Sequence, residues 1–316
     1  MIETQVWFSS LIWHPRNLLI PLPFAGSTQT NEVFPQNTTY TMEQHLNQKT
    51  LSQALSVAQE AASAAGKLMS RNLRKVKKRN EESQHDIKLE LDVRCQKAIE
   101  KVLKDFNPAI PVLGEEGFTG DVTEPVRWIV DPIDGTVNFT YGLPHACVSI
   151  ALQGNSTKPG KGKSRPETLL GLVYDPFLDE MWTAVKDKPA RLNGKLIRPN
   201  QHRKLDESVL AIGFSKTKGA LDEMLPAFNK LVYRVRKVRI LGAAALSLAW
   251  IADGRLDAFM EKGVRIWDIV AGGFILEQAG GDFYHQQIDD DHRYAMIANN
   301  GHLRRKLQPY MPKNKD

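Results

Sequence analysis

Two carboxylates with a backbone carbonyl between them open the stretch Asp131-Pro132-Ile133-Asp134-Gly135-Thr136. A hard cation such as Mg²⁺ takes oxygen ligands of this kind, part carboxylate and part water. Gly135 and Thr136 follow, and their backbone N–H groups can point at an anion. Metal beside phosphate is therefore the chemistry that these residue types suggest. Asp, Pro and Gly are also ordinary turn residues, so a solvated strand-to-loop turn is the competing reading. Two more acidic segments bear on the choice. Val112-Leu113-Gly114-Glu115-Glu116 is a short apolar run that ends in acids. Trp267-Asp268 opens a stretch with apolar residues at Ile269, Gly272, Ile275, Leu276 and Ala279, a helical spacing. Asp268 would sit at that helix's start, which suits an acid as a cap or macrodipole partner, and that is its competing reading. Acids that sit where apolar elements begin or end can converge on one cleft.

The elements that must place these acids are legible in outline. Trp128-Ile129-Val130 reads as the end of a buried strand, which Pro132 should stop. Leu51, Leu55, Ala58, Ala62, Ala65 and Met69 mark an amphipathic helix. A second helix is expected from about Leu91 to Phe106, with Ile99, Val102, Leu103 and Phe106 inward and Asp92 at its start, where it would serve as a cap. Strands are expected at 112–113, 127–130, 146–152, 168–174 and 180–184, forming a large, mainly antiparallel sheet. Residues 154–167, rich in Lys, Gly, Pro and Ser, read as a mobile hairpin loop. Beyond about Arg198 the pattern predicts strands at 209–212 and 238–240 and helices at 221–233, 244–253 and 268–279. Trp128 and Trp267 read as packing anchors, and His145 as a packed or exposed residue near the motif strand.

Composition sets outer limits. The chain has 316 residues, 42% of them hydrophobic, enough for a substantial core. Cys95 and Cys147 have no paired spacing, which excludes a disulfide framework or a Cys-rich zinc site and suggests a reducing, cytoplasmic setting. No apolar run approaches the ~20 residues of a membrane span. The formal charge is +6. Much of it lies in clusters such as Arg71–Arg79, which reads as a solvated helix end, as a source of one lysine for an anionic cleft, or as an RNA or partner contact. Residues 1–45 carry Pro15, Pro21, Pro23 and Pro35 and a polar run, and read as a disordered or mis-called extension with Met42 as the native start.

Taken together, the acidic segments resemble the inositol monophosphatase family of Mg²⁺-dependent, lithium-sensitive phosphatases. The resemblance runs from about Leu51 to Arg304. It also includes Asn138-Phe139, Gly142-Leu143-Pro144, Val148-Ser149-Ile150-Ala151, Val173-Tyr174-Asp175-Pro176, Glu180, Asn193-Gly194 and Ala279-Gly280-Gly281. It implies a layered α/β fold, an α-β-α-β-α sandwich, with one lobe over 46–197 and a second over 198–316 completing the site between them. It further implies two or three Mg²⁺ ions. Glu115, Asp131 and the Ile133 carbonyl match the first metal site, and Asp131, Asp134 and Asp268 the second. Glu116 matches an acid that helps hold water. Gly135 and Thr136 match the phosphate cradle, and Asp92 the acid that partners the Thr136 hydroxyl. Gly242-Ala243-Ala244 matches a substrate-contact turn, and Glu261 a residue that reads a substrate hydroxyl. A homodimer is implied as well.

Three departures stand out. Ala243 replaces a common Ser or Thr, Lys88-Leu89 replaces a common Val-Thr, and Lys186-Asp187-Lys188-Pro189-Ala190 replaces a Gly-x-Gly-Ala turn. The first two bear on substrate preference, not on reaction type. The expected function is hydrolysis of a polyol or sugar phosphate, foremost inositol monophosphate. The alternatives are fructose-1,6-bisphosphatase, histidinol-phosphatase, 3′-phosphoadenosine-5′-phosphate phosphatase, or a non-catalytic RNA- or protein-binding role.

Overall fold

The computed structural model describes residues 46–76, 79–82, 87–121, 124, 126–155, 166–215, 218–289 and 292–311. The expected extension over 1–45 and most of the expected loop at 154–167 lie outside these residues. The chain opens with α1 (Gln48–Asn72), whose Asn47 side chain accepts the Thr50 N–H as an N-cap. A short hairpin follows, β1 (Arg79–Glu82) with β2 (Ile87–Leu89), and then α2 (Glu90–Phe106).

The first large sheet is built from β3 (Val112–Gly114), β4 (Gly117–Thr119), β5 (Arg127–Asp134), β6 (Cys147–Asn155), β7 (Pro166–Asp175), β8 (Glu180–Val185), β9 (Arg191–Leu192) and β10 (Lys195–Leu196). Their spatial order is β10-β9-β8-β7-β6-β5-β3-β4, antiparallel except for β3 beside β5. The one-turn helix α3 (Thr136–Thr140) leaves the end of β5. The second sheet contains β11 (Val209–Ile212), β12 (Lys237–Arg239), β13 (Ala258–Arg265), β14 (Asp282–Gln287) and β15 (Arg293–Asn299), in the order β12-β11-β13-β15-β14. Its helices are α4 (Lys218–Leu231), α5 (Ala244–Ala252), α6 (Ile266–Gln278) and α7 (Arg304–Leu307).

Three apolar clusters define the layers. One joins α1 and α2 to the first sheet through Ala58, Ala62, Met69, Ile99, Trp128 and Leu172. A second places α5 and α6 between the two sheets, with Leu248, Ile269 and Ile275 meeting Val173 on one side and Phe259 and Met296 on the other. The third packs Met224 and Leu231 of α4, Leu307 of α7 and the preceding Leu303 on the outer face of the second sheet. The result is an α-β-α-β-α sandwich. Helices α5 and α6 are apolar nearly all round because both of their faces are covered.

Several local expectations differ from the structure. Pro132 does not end its strand: β5 continues to Asp134, across a bulge between the pairs Asp131↔Ser149 and Asp134↔Cys147. A bulge leaves one residue out of the ladder, so a proline without an N–H is accommodated there. The helix α1 stops at Asn72, so only Arg71 of the basic run lies in its last turn. Strands β13, β14 and β15 carry no expectation from the sequence pattern. Glu261, Lys262 and Gly263 interrupt alternation in β13, and β14 (Asp-Phe-Tyr-His-Gln-Gln) is largely exposed and polar.

Candidate active site

The bulge in β5 decides where its acids point. In an unbroken strand, residues three apart face opposite sides of the sheet. One extra residue between Asp131 and Asp134 resets that phase. Both carboxylates are then interior, Asp131 at 1% and Asp134 at 7% exposure. The Asp131 Oδ1 accepts the Ile133 N–H at 2.9 Å, which fixes its rotamer within the bulge.

Asp134 is held from across the sandwich. Its Oδ1 accepts the Ala244 N–H at 3.1 Å, and its Oδ2 accepts those of Ala245 at 2.8 Å and Leu246 at 3.4 Å. These are first-turn donors of α5, whose own N-cap residue Ala243 offers no side-chain acceptor. The Cys147 thiol donates to the same Oδ2 at 3.6 Å. Burial outweighs these bonds and raises the Asp134 pKa from 3.8 to about 6. Burial also raises Asp131 well above the carboxylate range, reinforced by the charges of Glu115, Asp134 and Asp268 and a hydrogen bond with Glu115. Four expected ligands, from the β3–β4 turn, β5 and α6, thus lie within electrostatic reach of one another.

Glu115 and Glu116 are half-buried in the β3–β4 turn. The Glu115 N–H donates to the Val130 carbonyl at 3.1 Å, continuing the parallel pairing with β5. Gln96 of α2, 4% exposed, clamps the same turn. Its Oε1 accepts the Glu116 N–H at 2.9 Å, and its Nε2 donates to the Gly117 carbonyl at 3.0 Å and to Glu100 Oε1 at 2.9 Å. A Cβ on Gly114 would lie 2.3 Å from the Gln96 amide, so only glycine admits the clamp. The sequence reading passes over Gln96. The available signal is an amide on the inward face of α2, in line with Ile99 and Leu103.

Asp268 does act as the helix cap that its position suggests: Oδ2 accepts the Arg265 N–H at 2.8 Å at the start of α6. The Ser149 hydroxyl donates to the Trp267 carbonyl at 3.0 Å and ties that helix start to β6. Asp92 likewise accepts the Leu89 N–H at 2.8 Å at the start of α2. The Thr136 hydroxyl donates to the Ile133 carbonyl at 2.9 Å, so its single proton is directed there and not at Asp92. Gly135 has φ +90°, and a Cβ there would meet the His145 carbonyl at 2.9 Å. Asn138 bridges this corner to the second half of the chain, donating to the carbonyls of His145 and Leu241 at 2.9 and 2.7 Å. In the turn that Asn138 holds, Gly242 is exposed, whereas Ala243 and Ala244 are buried. Glu261 of β13 is half-buried against Gly213, where any Cβ would overlap its carboxylate. The His145 ring packs edge-on against Trp250, and Trp128 is fully buried.

Among the described residues, no three or more His, Cys, Asp or Glu groups enclose an ion site as they stand. The donor chemistry nonetheless fits a hard cation. The groups are carboxylates, and Asp131 and Asp134 are interior; burial raises the proton affinity of both, and at Asp131 the neighbouring acidic charges add to it, a penalty that a bound cation would offset.

A model described as the inositol monophosphatase family matches residues 50–309. Inositol monophosphatase 1 of Solanum lycopersicum is 35% identical over 263 residues, covering 80% of this chain and 93% of the relative. The Nus factor SuhB of Pseudomonas aeruginosa is 34% identical over 276 residues, covering 82% and 97%. Among solved structures, the extragenic suppressor protein suhB of Bartonella henselae matches with a TM-score of 0.73 at 31% identity, covering 83% of this chain and 100% of that one. An inositol monophosphatase from Anabaena (Nostoc) matches with a TM-score of 0.67 at 28% identity, covering 83% and 96%.

Proposed function

This chain belongs to the inositol monophosphatase family, and we propose from that premise that it hydrolyses a polyol or sugar phosphate monoester, foremost inositol monophosphate, with Mg²⁺. The observation that carries the reading is the interior Asp131 carboxylate with Glu115, Asp134 and Asp268 around it. Glu115, Asp131 and the Ile133 carbonyl would hold one ion, and Asp131, Asp134 and Asp268 a second. When bound, Mg²⁺ supplies positive charge against the phosphate dianion and acidifies water.

The chain's own groups do the rest. The Gly135 and Thr136 N–H groups orient the phosphate. With the Ile133 carbonyl serving as a ligand, the Thr136 hydroxyl is the group left to orient the attacking water toward Asp92, and Glu116 holds that water in place. Glu261 accepts hydrogen bonds from ring hydroxyls. Ala243 offers no hydroxyl, so the turn at 242–244 selects by shape. A homodimer and inhibition by lithium go with the same reading.

The test is phosphate release from inositol 1-phosphate with and without Mg²⁺, beside an Asp131→Asn control. Mg²⁺-dependent turnover that the control abolishes supports the reading. Selective turnover of 3′-phosphoadenosine-5′-phosphate would move the substrate to a related phosphatase. Folded protein inert toward all of these phosphates would refute hydrolysis. A second reading rests on the relatives called Nus factors: a non-catalytic role, with RNA contacting the exposed Arg71, Arg74 and Lys75. Salt-sensitive RNA retention lost on replacing those residues supports it.

A further inference from the structure

The outer layer of the second sheet carries a feature that the hydrolytic site does not use. After α4, the chain turns through Val232-Tyr233-Arg234 and re-enters the core at Val235, which is 9% exposed. The Arg234 and Val235 N–H groups both donate to the Leu231 carbonyl, at 2.9 and 3.1 Å. Leu231 and Leu307 are fully buried beneath, so the turn and the C-terminal segment share one rigid floor. Above that floor lies an open pocket of about 650 Å³, lined by Tyr233, Arg234, Arg305, Lys306 and Tyr310 with Asp206 as its one acid.

Two properties of this pocket point to a ligand class. One aromatic ring, that of Tyr233, is presented to solvent, while Tyr310 is half-buried against the third apolar cluster. Tyr233 is 90% exposed, and Tyr310 lies under the Arg234 guanidinium, 6.0 Å from ring centroid to Cζ, with its hydroxyl bonded to Arg234. Its cations also lack acidic partners. Among the described residues, none of Arg234, Arg305 and Lys306 is in an ion pair. A presented planar face at Tyr233 among unneutralised cations suits a base strung on a phosphate backbone. A base can stack on a tyrosine only when unpaired, which selects single strands over duplex. An acidic peptide would use the charges and leave the exposed phenol ring without a role.

We propose that the surface of Tyr233, Arg234, Arg305, Lys306 and Tyr310 is a docking site for single-stranded nucleic acid. It stands independently of the hydrolytic reading, since none of these residues belongs to that site. It also lies in the outer layer opposite α1 and the exposed Arg71, Arg74 and Lys75, so it assigns nucleic-acid contact to a different face.

The test is fluorescence anisotropy of labelled single-stranded RNA and DNA 12-mers with the full chain across a KCl series. Tyr233→Ala should weaken binding about tenfold by loss of stacking and leave the salt slope unchanged. Arg234→Ala and Arg305→Ala should each weaken it and lower the slope of log K against log salt by about 0.7. Thermal unfolding midpoints should be the same in all three variants, which reports correct folding, and any hydrolysis of inositol 1-phosphate should be unchanged. The inference is overturned by an absence of binding in the wild type, or by binding indifferent to Tyr233→Ala. Equal displacement by anionic vesicles would mark a charge-only surface and overturn it too. Binding lost only on replacing Arg74 and Lys75 would refute this site while supporting the Nus-factor reading.

Discussion

Replacing Asp134 with asparagine should stabilise the metal-free protein at neutral pH, although Asp134 receives three backbone hydrogen bonds. Below about pH 4 the wild-type side chain is a neutral acid, near in shape and charge to the amide, and the two proteins should differ little. The folded-state pKa of Asp134 lies above its unfolded value, about 6 against 3.8. The folded state therefore binds the proton more tightly, and stability present at low pH is lost as pH rises from about 4 to 6. About two pH units at roughly 1.4 kcal/mol each give a loss of about 3 kcal/mol. The group is interior, so solvent screening does not reduce this. The asparagine variant has nothing to titrate there and escapes the loss. Urea unfolding of both proteins in chelator, at several pH values from 4 to 7.5, measures the difference; distant titrating groups cancel, and Asp131, relieved of the Asp134 charge, contributes in the same direction. Added Mg²⁺ should then restore the wild type and raise the variant far less. A variant less stable than wild type by a pH-independent amount would refute the reasoning. It would mean that the α5 N–H groups stabilise the carboxylate more than burial penalises it.

Three further outcomes follow from named contacts. Gln96→Ala leaves the Glu116 N–H and the Gly117 carbonyl without their clamp; it should raise the Mg²⁺ concentration for half-maximal activity and shrink Mg²⁺-induced thermal stabilisation more than it lowers maximal turnover, and an unchanged Mg²⁺ dependence would refute the positioning role. Gly135→Ala places a Cβ 2.9 Å from the His145 carbonyl at φ +90°; a loss of about 1–3 kcal/mol in chemical unfolding is expected, and a change within error would show that the corner relaxes. Both thiols are buried and their pKa values raised by burial, Cys95 to about 12; iodoacetamide at pH 8 should label neither in folded protein and both in urea, and rapid native labelling would contradict the packing.

The sequence by itself determined the elements whose periodicity is strong and whose ends are punctuated. The face of α1 from Leu51 to Met69, the inward side of α2 and the antiparallel run β6–β7–β8 follow from local spacing. It also placed the acids at element ends, because such positions have a distinct chemistry: Asp92 and Asp268 act as caps whatever else they do. What it left open depends on partners far along the chain. Strand β13 carries Glu261, Lys262 and Gly263 because β15 beside it supplies the pairing that its own residues do not advertise. Pro132 sits inside β5 because Asp131 and Asp134 pair with Ser149 and Cys147 across a bulge, and a bulge leaves no mark in local spacing. Asp134 meets the N–H groups of Ala244, Ala245 and Leu246 more than a hundred residues away. Gln96 reaches under Gly114 only once α2 lies on β5. Residue types fixed which chemistry was available, since that is carried by each side chain alone. Packing decided which carboxylates share an interior, because burial and mutual repulsion exist only between groups that the fold has brought together.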